Sequence, residues 1–354
     1  MLFDDKMEAV ILAGGLGTRL RPLTYTTPKP LLPIMNVPMV ERLITTLPQD
    51  VDKIVLAVNY MYDRLKAHFK NYEMGREVFV VEEKEPLGTG GAIQNVEGYI
   101  HDTFLVFNGD VISSLDINAL RDFHSEKKGI GTISMWEVEN PTRFGIIGTD
   151  EESRITRFLE KPKPEQIFSN WINAGVYVLE PEILNLIEPQ TKTSIEREVF
   201  PQLAAEGRLF GFKFYGYWVD AGTPEAYIMS HKILLDERKL ELKKLPKDLD
   251  INIKGSINQP VLFGNNCNCA KNSEVGPYVC LGDNVEVFEG TKIKNSVLFG
   301  NNKIGKNNNL EDCIIGYGCK IEENVHIGRG LVLGDDQILK KGMNIPGNSK
   351  IGMK

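Results

Sequence analysis

Residues 8–33 read Glu-Ala-Val-Ile-Leu-Ala-Gly-Gly-Leu-Gly-Thr-Arg-Leu-Arg-Pro-Leu-Thr-Tyr-Thr-Thr-Pro-Lys-Pro-Leu-Leu-Pro. The apolar run Ala9–Ala13 predicts a buried strand. Gly14, Gly15 and Gly17 then predict a tight turn, because glycine lets backbone N–H groups approach an anion without a side chain in the way. Arg19, Arg21 and Lys29 follow, so the loop is glycine-rich and then cationic. That pairing suits a polyphosphate, and a helix starting near Thr18 would add its positive end. The loop is not a P-loop, since no Gly-Lys-Ser/Thr closes it. Nor is it a dinucleotide fingerprint: the third glycine is missing, and no acidic residue ends a second strand about twenty positions on.

Working outward, helical and extended patterns alternate. A helix is expected over 36–48 and an amphipathic one over Tyr62–Tyr72. Strands are expected at Lys53–Asn59, Glu77–Glu82 and Phe104–Phe107, then near Phe144–Ile147, Arg157–Glu160 and Phe212–Trp218. This order implies an α/β domain with a mostly parallel sheet and right-handed crossovers. Ligands of such sheets bind outside the carboxyl ends of the strands. The phosphate loop follows one such end, and Asp110 and Asp220 follow others. Asp110 is a candidate Mg²⁺ ligand, since Mg²⁺ is held by one or two carboxylates plus phosphates and waters, and Asp220 is a second carboxylate at a strand end. The local alternatives are an Asx turn at Asp110 and a helix cap at Asp220. A long helix is expected over 224–244, with a linker near Leu245-Pro246.

Gly-Gly-x-Gly-Thr-Arg-Leu followed by Pro-Lys-Pro resembles the signature of the sugar-nucleotide pyrophosphorylases, a nucleotidyltransferase family. Gly88-Thr89-Gly90-Gly91 and the Ser194–Pro201 segment are similar to the mannose-1-phosphate guanylyltransferase branch. The resemblance implies a Rossmann-like nucleotidyltransferase domain in which Leu12, Ala13, Gly14, Gly15, Gly17, Thr18, Gly88, Thr89 and Gly91 bind the nucleotide. It further implies that Gly145, Glu160 and Asn173 hold the sugar, that Arg19, Lys29 and Lys161 manage the phosphates, and that Asp110 and Asp220 hold Mg²⁺. The implied substrates are GTP and a sugar 1-phosphate, with GDP-mannose or a related GDP-sugar as product. UTP or dTTP with glucose 1-phosphate is the alternative, as is a silent paralogue that only binds sugar nucleotide.

The net charge of −7 argues against nonspecific nucleic-acid or membrane binding. No apolar run reaches the length of a membrane span. Met1–Lys6 is acidic and does not read as a secretory signal, so a cytoplasmic protein is expected. All five cysteines lie between 267 and 319, without the paired spacing of zinc sites. They read as small buried side chains.

After residue 250 the pattern changes. Phe263, Cys269, Val275, Leu281, Val287, Ile293 and Phe299 recur every six residues. After two five-residue steps Ile304, Leu310, Ile315, Ile321, Ile327, Leu333, Leu339, Ile345 and Ile351 continue. Small or β-branched residues (Ser273, Val279, Val285, Thr291, Val297, Val325) sit four places on. This period predicts a C-terminal left-handed parallel β-helix of stacked three-sided coils. The expected domains are 1–245 and 246–354. The only histidine of the repeats, His326, has no evident partner, so homo-oligomer assembly and packing against the catalytic domain are expected of this part rather than acetyl transfer.

Overall fold

The computed structural model describes residues 7–70, 72, 75–238 and 250–353. Two compact units are present: Met1–Gly15 with Leu43–Trp218, and Leu16–Arg42 with Val219–Lys354. The expected linker at Leu245-Pro246 and the end of the helix expected over 224–244 lie outside the described residues.

The first unit is built on a nine-stranded mixed sheet. Its parallel part comprises Phe104–Asn108, Glu8–Leu12, Lys53–Val58 and Glu77–Glu82, in that spatial order. Ala9 lies opposite both Ile54 and Leu105. The first three are continuous apolar runs because both faces are covered; Val10, Ile11, Val55 and Val106 have no exposure, whereas Glu77–Glu82 is an edge strand and only partly buried. Trp171–Leu179 then runs antiparallel to Phe104–Asn108 and carries the rest of the sheet. Helices Tyr62–Phe69, Gly88–Gln94 and Ile117–Lys127 supply crossovers. The expected strand at Phe212–Trp218 is shorter: Leu209–Lys213 is extended, but Phe214–Tyr217 leaves the sheet. Gly216 makes this turn at φ +116°, which aromatic alternation does not reveal.

The second unit contains three faces of parallel strands, the arrangement of a left-handed β-helix. Two faces are six-stranded and the third is split into four and two strands. One coil on from Leu281 lies Leu298, and one coil on from Leu298 lies Ile315. The inward residue is therefore Leu298, not Phe299 as the hexad count predicts, and the first short step falls after Ile293. Leu298 is fully buried in the interior ladder. Phe299 turns outward, with its ring 6.4 Å from that of Tyr227 and 5.0 Å from that of Tyr317. Two adjacent apolar residues satisfy the period equally well, and the helix Pro224–Glu237 decides between them by offering the larger ring a bed.

The same slip puts Ser296, rather than Val297, at the small inner position. Ser296 Oγ donates to Lys294 O at 2.7 Å and accepts from Cys313 N at 3.0 Å. At the next inner corner, the buried Asn302 amide donates to Phe299 O and Gly316 O and accepts from Cys319 N. These inward polar groups close backbone bonds that the corners leave open. All five cysteines are buried free thiols. Burial pushes the Cys269 and Cys319 thiols up to about 12. Asn284, Asn301, Asn307 and Asn324 stand at left-handed turn positions, where asparagine is tolerated. His326 is exposed on the strand His326–Ile327.

Candidate active site

In the first unit the carboxyl rim is laced by backbone bonds. Ala13 N donates to Ala57 O, Gly109 N to Leu12 O and Glu83 N to Val58 O. Gly14 and Asp110 thus follow adjacent strand ends. A Cβ on Gly14 would lie 2.9 Å from Glu83 Oε1, and one on Gly109 would lie 2.8 Å from Leu12 O. Gly15 is exposed with open space beside it. Asp110 is half-buried.

Gly88, Gly90 and Gly91 are expected to let a ligand approach, and their side-chain space is already filled from within. A Cβ on Gly88 would meet Thr193 O at 2.6 Å, and one on Gly91 would meet Thr191 O at 2.5 Å. These glycines lie inside the helix Gly88–Gln94. Thr89 Oγ1 donates to Glu196 Oε2 at 2.6 Å and accepts from Ile195 N at 3.1 Å. Thr193–Glu198 is therefore the support under this segment, and it begins as a π-helical turn at Ile195–Val199.

The expected sugar residues gather on the antiparallel strands. A Cβ on Gly145 would lie 2.8 Å from Glu160 Oε2. Lys161 Nζ lies 3.4 Å from Glu160 Oε1 and is 60% exposed, leaving its charge available to a ligand. Burial raises the Glu160 carboxyl above its ordinary pKa, Glu196 adds repulsion, and Lys161 opposes both. Asn173 is held from two sides: Gly175 N donates to Oδ1 at 2.9 Å, and Nδ2 donates to Tyr177 Oη at 2.8 Å.

In the second unit, Gly17 adopts φ +59° and its carbonyl accepts from Thr24 Oγ1 at 2.9 Å. The helix expected near Thr18 is a single 3₁₀ turn, Thr18–Leu20. Arg21 precedes Pro22, which disfavours helical backbone there. Arg19 Nη2 lies 3.8 Å from Asp220 Oδ2, with the arginine 52% exposed. A Cβ on Gly222 would lie 2.6 Å from Arg19 Nη2 and 2.7 Å from Asp220 Oδ1. The helix cap there is Thr223, whose Oγ1 accepts from Ala226 N, so Asp220 is not the cap. Lys29 is a buried cation at the start of a 3₁₀ turn.

No group of three or more His, Cys, Asp or Glu residues gathers as a metal cage among the described residues. Asp110 and Asp220 are each half-buried, and carboxylates are the donor type that Mg²⁺ takes alongside phosphates and waters.

Glu83, Glu196 and Tyr177 are not singled out by the sequence. The signal for Glu83 is a carboxylate just past a strand end, and the second residue of the Glu82-Glu83 pair carries it. Its Oε2 accepts from Leu87 N at 3.3 Å while Oε1 faces Gly14. Burial raises its carboxyl pKa, and the Leu87 N–H opposes this.

Residues 8–237 match the Nucleotidyl transferase family, and residues 257–352 match the GMPPB C-terminal domain. The chain belongs to the nucleotidyl transferase family. It is 34% identical to a probable mannose-1-phosphate guanylyltransferase 1 of Oryza sativa subsp. japonica, over 93% of this chain and 91% of that one. It is also 34% identical to the mannose-1-phosphate guanylyltransferase catalytic subunit beta of Danio rerio, over 96% and 94%. Among solved structures, HddC from Yersinia pseudotuberculosis complexed with GMP-PN shares 34% identity with a TM-score of 0.54, covering 63% of this chain and 97% of that one. Among the described residues no helix is long and apolar enough to cross a membrane.

Proposed function

We propose that this chain makes GDP-mannose and pyrophosphate from GTP and mannose 1-phosphate. The observation that carries this reading is the guanylyltransferase likeness across 93% of the chain, spanning both the sheet unit and the repeats. A sugar-phosphate oxygen attacks the α-phosphorus in line, its new P–O bond forming as the bond to the β-phosphate breaks. Arg19 and the Gly14, Gly15 and Gly17 amides hold the departing pyrophosphate, and the Leu12–Thr18 backbone frames it. Lys29 neutralises charge near the α-phosphate. Lys161 draws in the sugar phosphate against its repulsion from GTP, and Glu160, Asn173 and Gly145 orient the sugar. Asp110 and Asp220 are the carboxylates that would hold Mg²⁺, which would supply charge neutralisation at the reacting phosphates. Such transfers need positioning and charge more than a protein nucleophile.

Glu83 supports guanine over a pyrimidine. A guanine edge offers two adjacent N–H groups, at N1 and N2, to a carboxylate that only accepts. Uracil offers one. Gly88, Thr89 and Gly91 can then present only backbone to the base, since their side-chain space is taken by Thr191–Ile195.

A cytoplasmic location is supported by the five buried free thiols, which a reducing compartment keeps reduced. A homo-oligomer through the repeats is supported by exposed Ile338 and Met353 on the last coil. Pyrophosphate release from paired nucleoside triphosphates and sugar 1-phosphates tests the activity; release with GTP and mannose 1-phosphate is expected.

A further inference from the structure

The signature loop is seated on the repeats. Both belong to one compact unit, although more than two hundred residues separate them. Pro22 packs against two glycine backbones: a Cβ on Gly352 would lie 2.5 Å from Pro22 Cβ, and one on Gly334 would lie 3.2 Å from it. Neither glycine has positive φ, so space, not conformation, requires glycine there. Thr26 Oγ1 donates to Asp335 Oδ2 at 2.7 Å. Lys350 Nζ donates to the backbone oxygen of Arg19 at 2.9 Å. Further along, Asn36 Nδ2 donates to Leu281 O at 2.8 Å. The 3₁₀ turn bearing Arg19 makes two internal backbone bonds, Leu20 N to Gly17 O and Arg21 N to Thr18 O, and these outside supports add to them.

We infer that the last two coils of the β-helix are the positioning element for Arg19, with Gly334, Gly352, Asp335 and Lys350 as positioning residues for nucleotidyl transfer. This rests on the reading of Arg19 as a triphosphate ligand. The guanidinium is aimed by three constraints: the Lys350 bond to its carbonyl, the Pro22 seat three residues on, and Asp220 at its tip. Loss of the seat frees the turn without removing a charged group from the substrate. A displacement of about an ångström at such a group costs on the order of a hundredfold in rate. Anything docking on these coils would act on turnover by the same route.

The test uses the full chain with Gly352→Ala, Lys350→Ala and Lys350→Arg. The comparison variant is Gly328→Ala, because a Cβ there would also clash, at 2.3 Å from Gly347 N, but against the repeats alone. Gly352→Ala is expected to lower kcat for pyrophosphate release about tenfold or more, while KM for the sugar 1-phosphate stays within about twofold. Lys350→Ala is expected to lower kcat less, and Lys350→Arg to restore it. Gly328→Ala is expected to lower the unfolding temperature without a matching loss of kcat. Limited trypsin cleavage after Arg19 supplies a readout free of substrate and is expected to quicken about tenfold in Gly352→Ala, less in Lys350→Ala and not in Gly328→Ala. Unchanged cleavage and kcat in Gly352→Ala, or equal losses in Gly328→Ala, overturn the inference. If the wild type releases no pyrophosphate, the functional reading fails, and cleavage still decides whether the coils hold the turn.

Discussion

Arg19 Nη2 stands 3.8 Å from Asp220 Oδ2, and Gly222 is what leaves room for the pair. Half the arginine remains exposed, so the ion pair contributes little to stability at a solvated site. Its consequence is aim: an acidic group proposed to hold Mg²⁺ sits beside a basic group proposed to hold pyrophosphate. Gly222→Ala pushes a methyl between them. It is expected to reduce turnover by one to two orders of magnitude, as losing a preorganised charge contact does, with an unfolding temperature close to wild type. Steady-state pyrophosphate release and a thermal melt check this.

Glu83 touches Gly14 on one side and Leu87 on the other. Glu83→Gln keeps the shape but replaces one acceptor oxygen with a donor. The ratio of kcat/KM for GTP over UTP is expected to fall by about tenfold to a hundredfold, the scale of losing one matched hydrogen bond in a recognition site. Competition between the two nucleotides with one sugar phosphate measures it.

His231 is buried on the Pro224–Glu237 helix, with Nδ1 2.9 Å from Tyr227 O. Burial lowers its pKa from 6.5 to about 4. Between these values the unfolded chain binds the extra proton and the folded chain does not. Stability is therefore whole above pH 6.5 and declines as pH falls toward 4, by about 3 kcal/mol over that span. His231→Gln is expected to flatten this part of the profile. Urea midpoints at pH 7 and pH 5 for both proteins check it.

Leu298 and Phe299 test the corrected register. Leu298→Ala opens a cavity in the interior ladder and is expected to cost about 2–5 kcal/mol. Leu298→Lys, a charge in that interior, is expected to prevent the repeats from folding. Phe299→Leu should cost less, since its ring lies on the outside against Tyr227. Circular dichroism with urea titration separates the two positions.

The parts legible in the sequence are those set by local pattern. The strand Glu77–Glu82 lies where its run of Val and Phe puts it, and the six-residue period yields the stacked coils. What escaped is tertiary. Nothing local distinguishes Leu298 from Phe299 as the inward residue. The Gly88–Gly91 glycines look free for a ligand until Thr191 and Thr193 are found against them. Glu83 is one carboxylate of an adjacent pair, and only the fold sets it at Gly14. The seat of Pro22 on Gly352 joins residues too distant in sequence for any local pattern to connect.

The most direct test is pyrophosphate release across four nucleoside triphosphates and several sugar 1-phosphates, for the wild type, Asp110→Asn and Asp220→Asn. The account predicts the highest kcat/KM for GTP with mannose 1-phosphate, and a loss of about a hundredfold or more in either folded variant. A preference for UTP or dTTP with glucose 1-phosphate, or near-wild-type turnover in either variant, would contradict it.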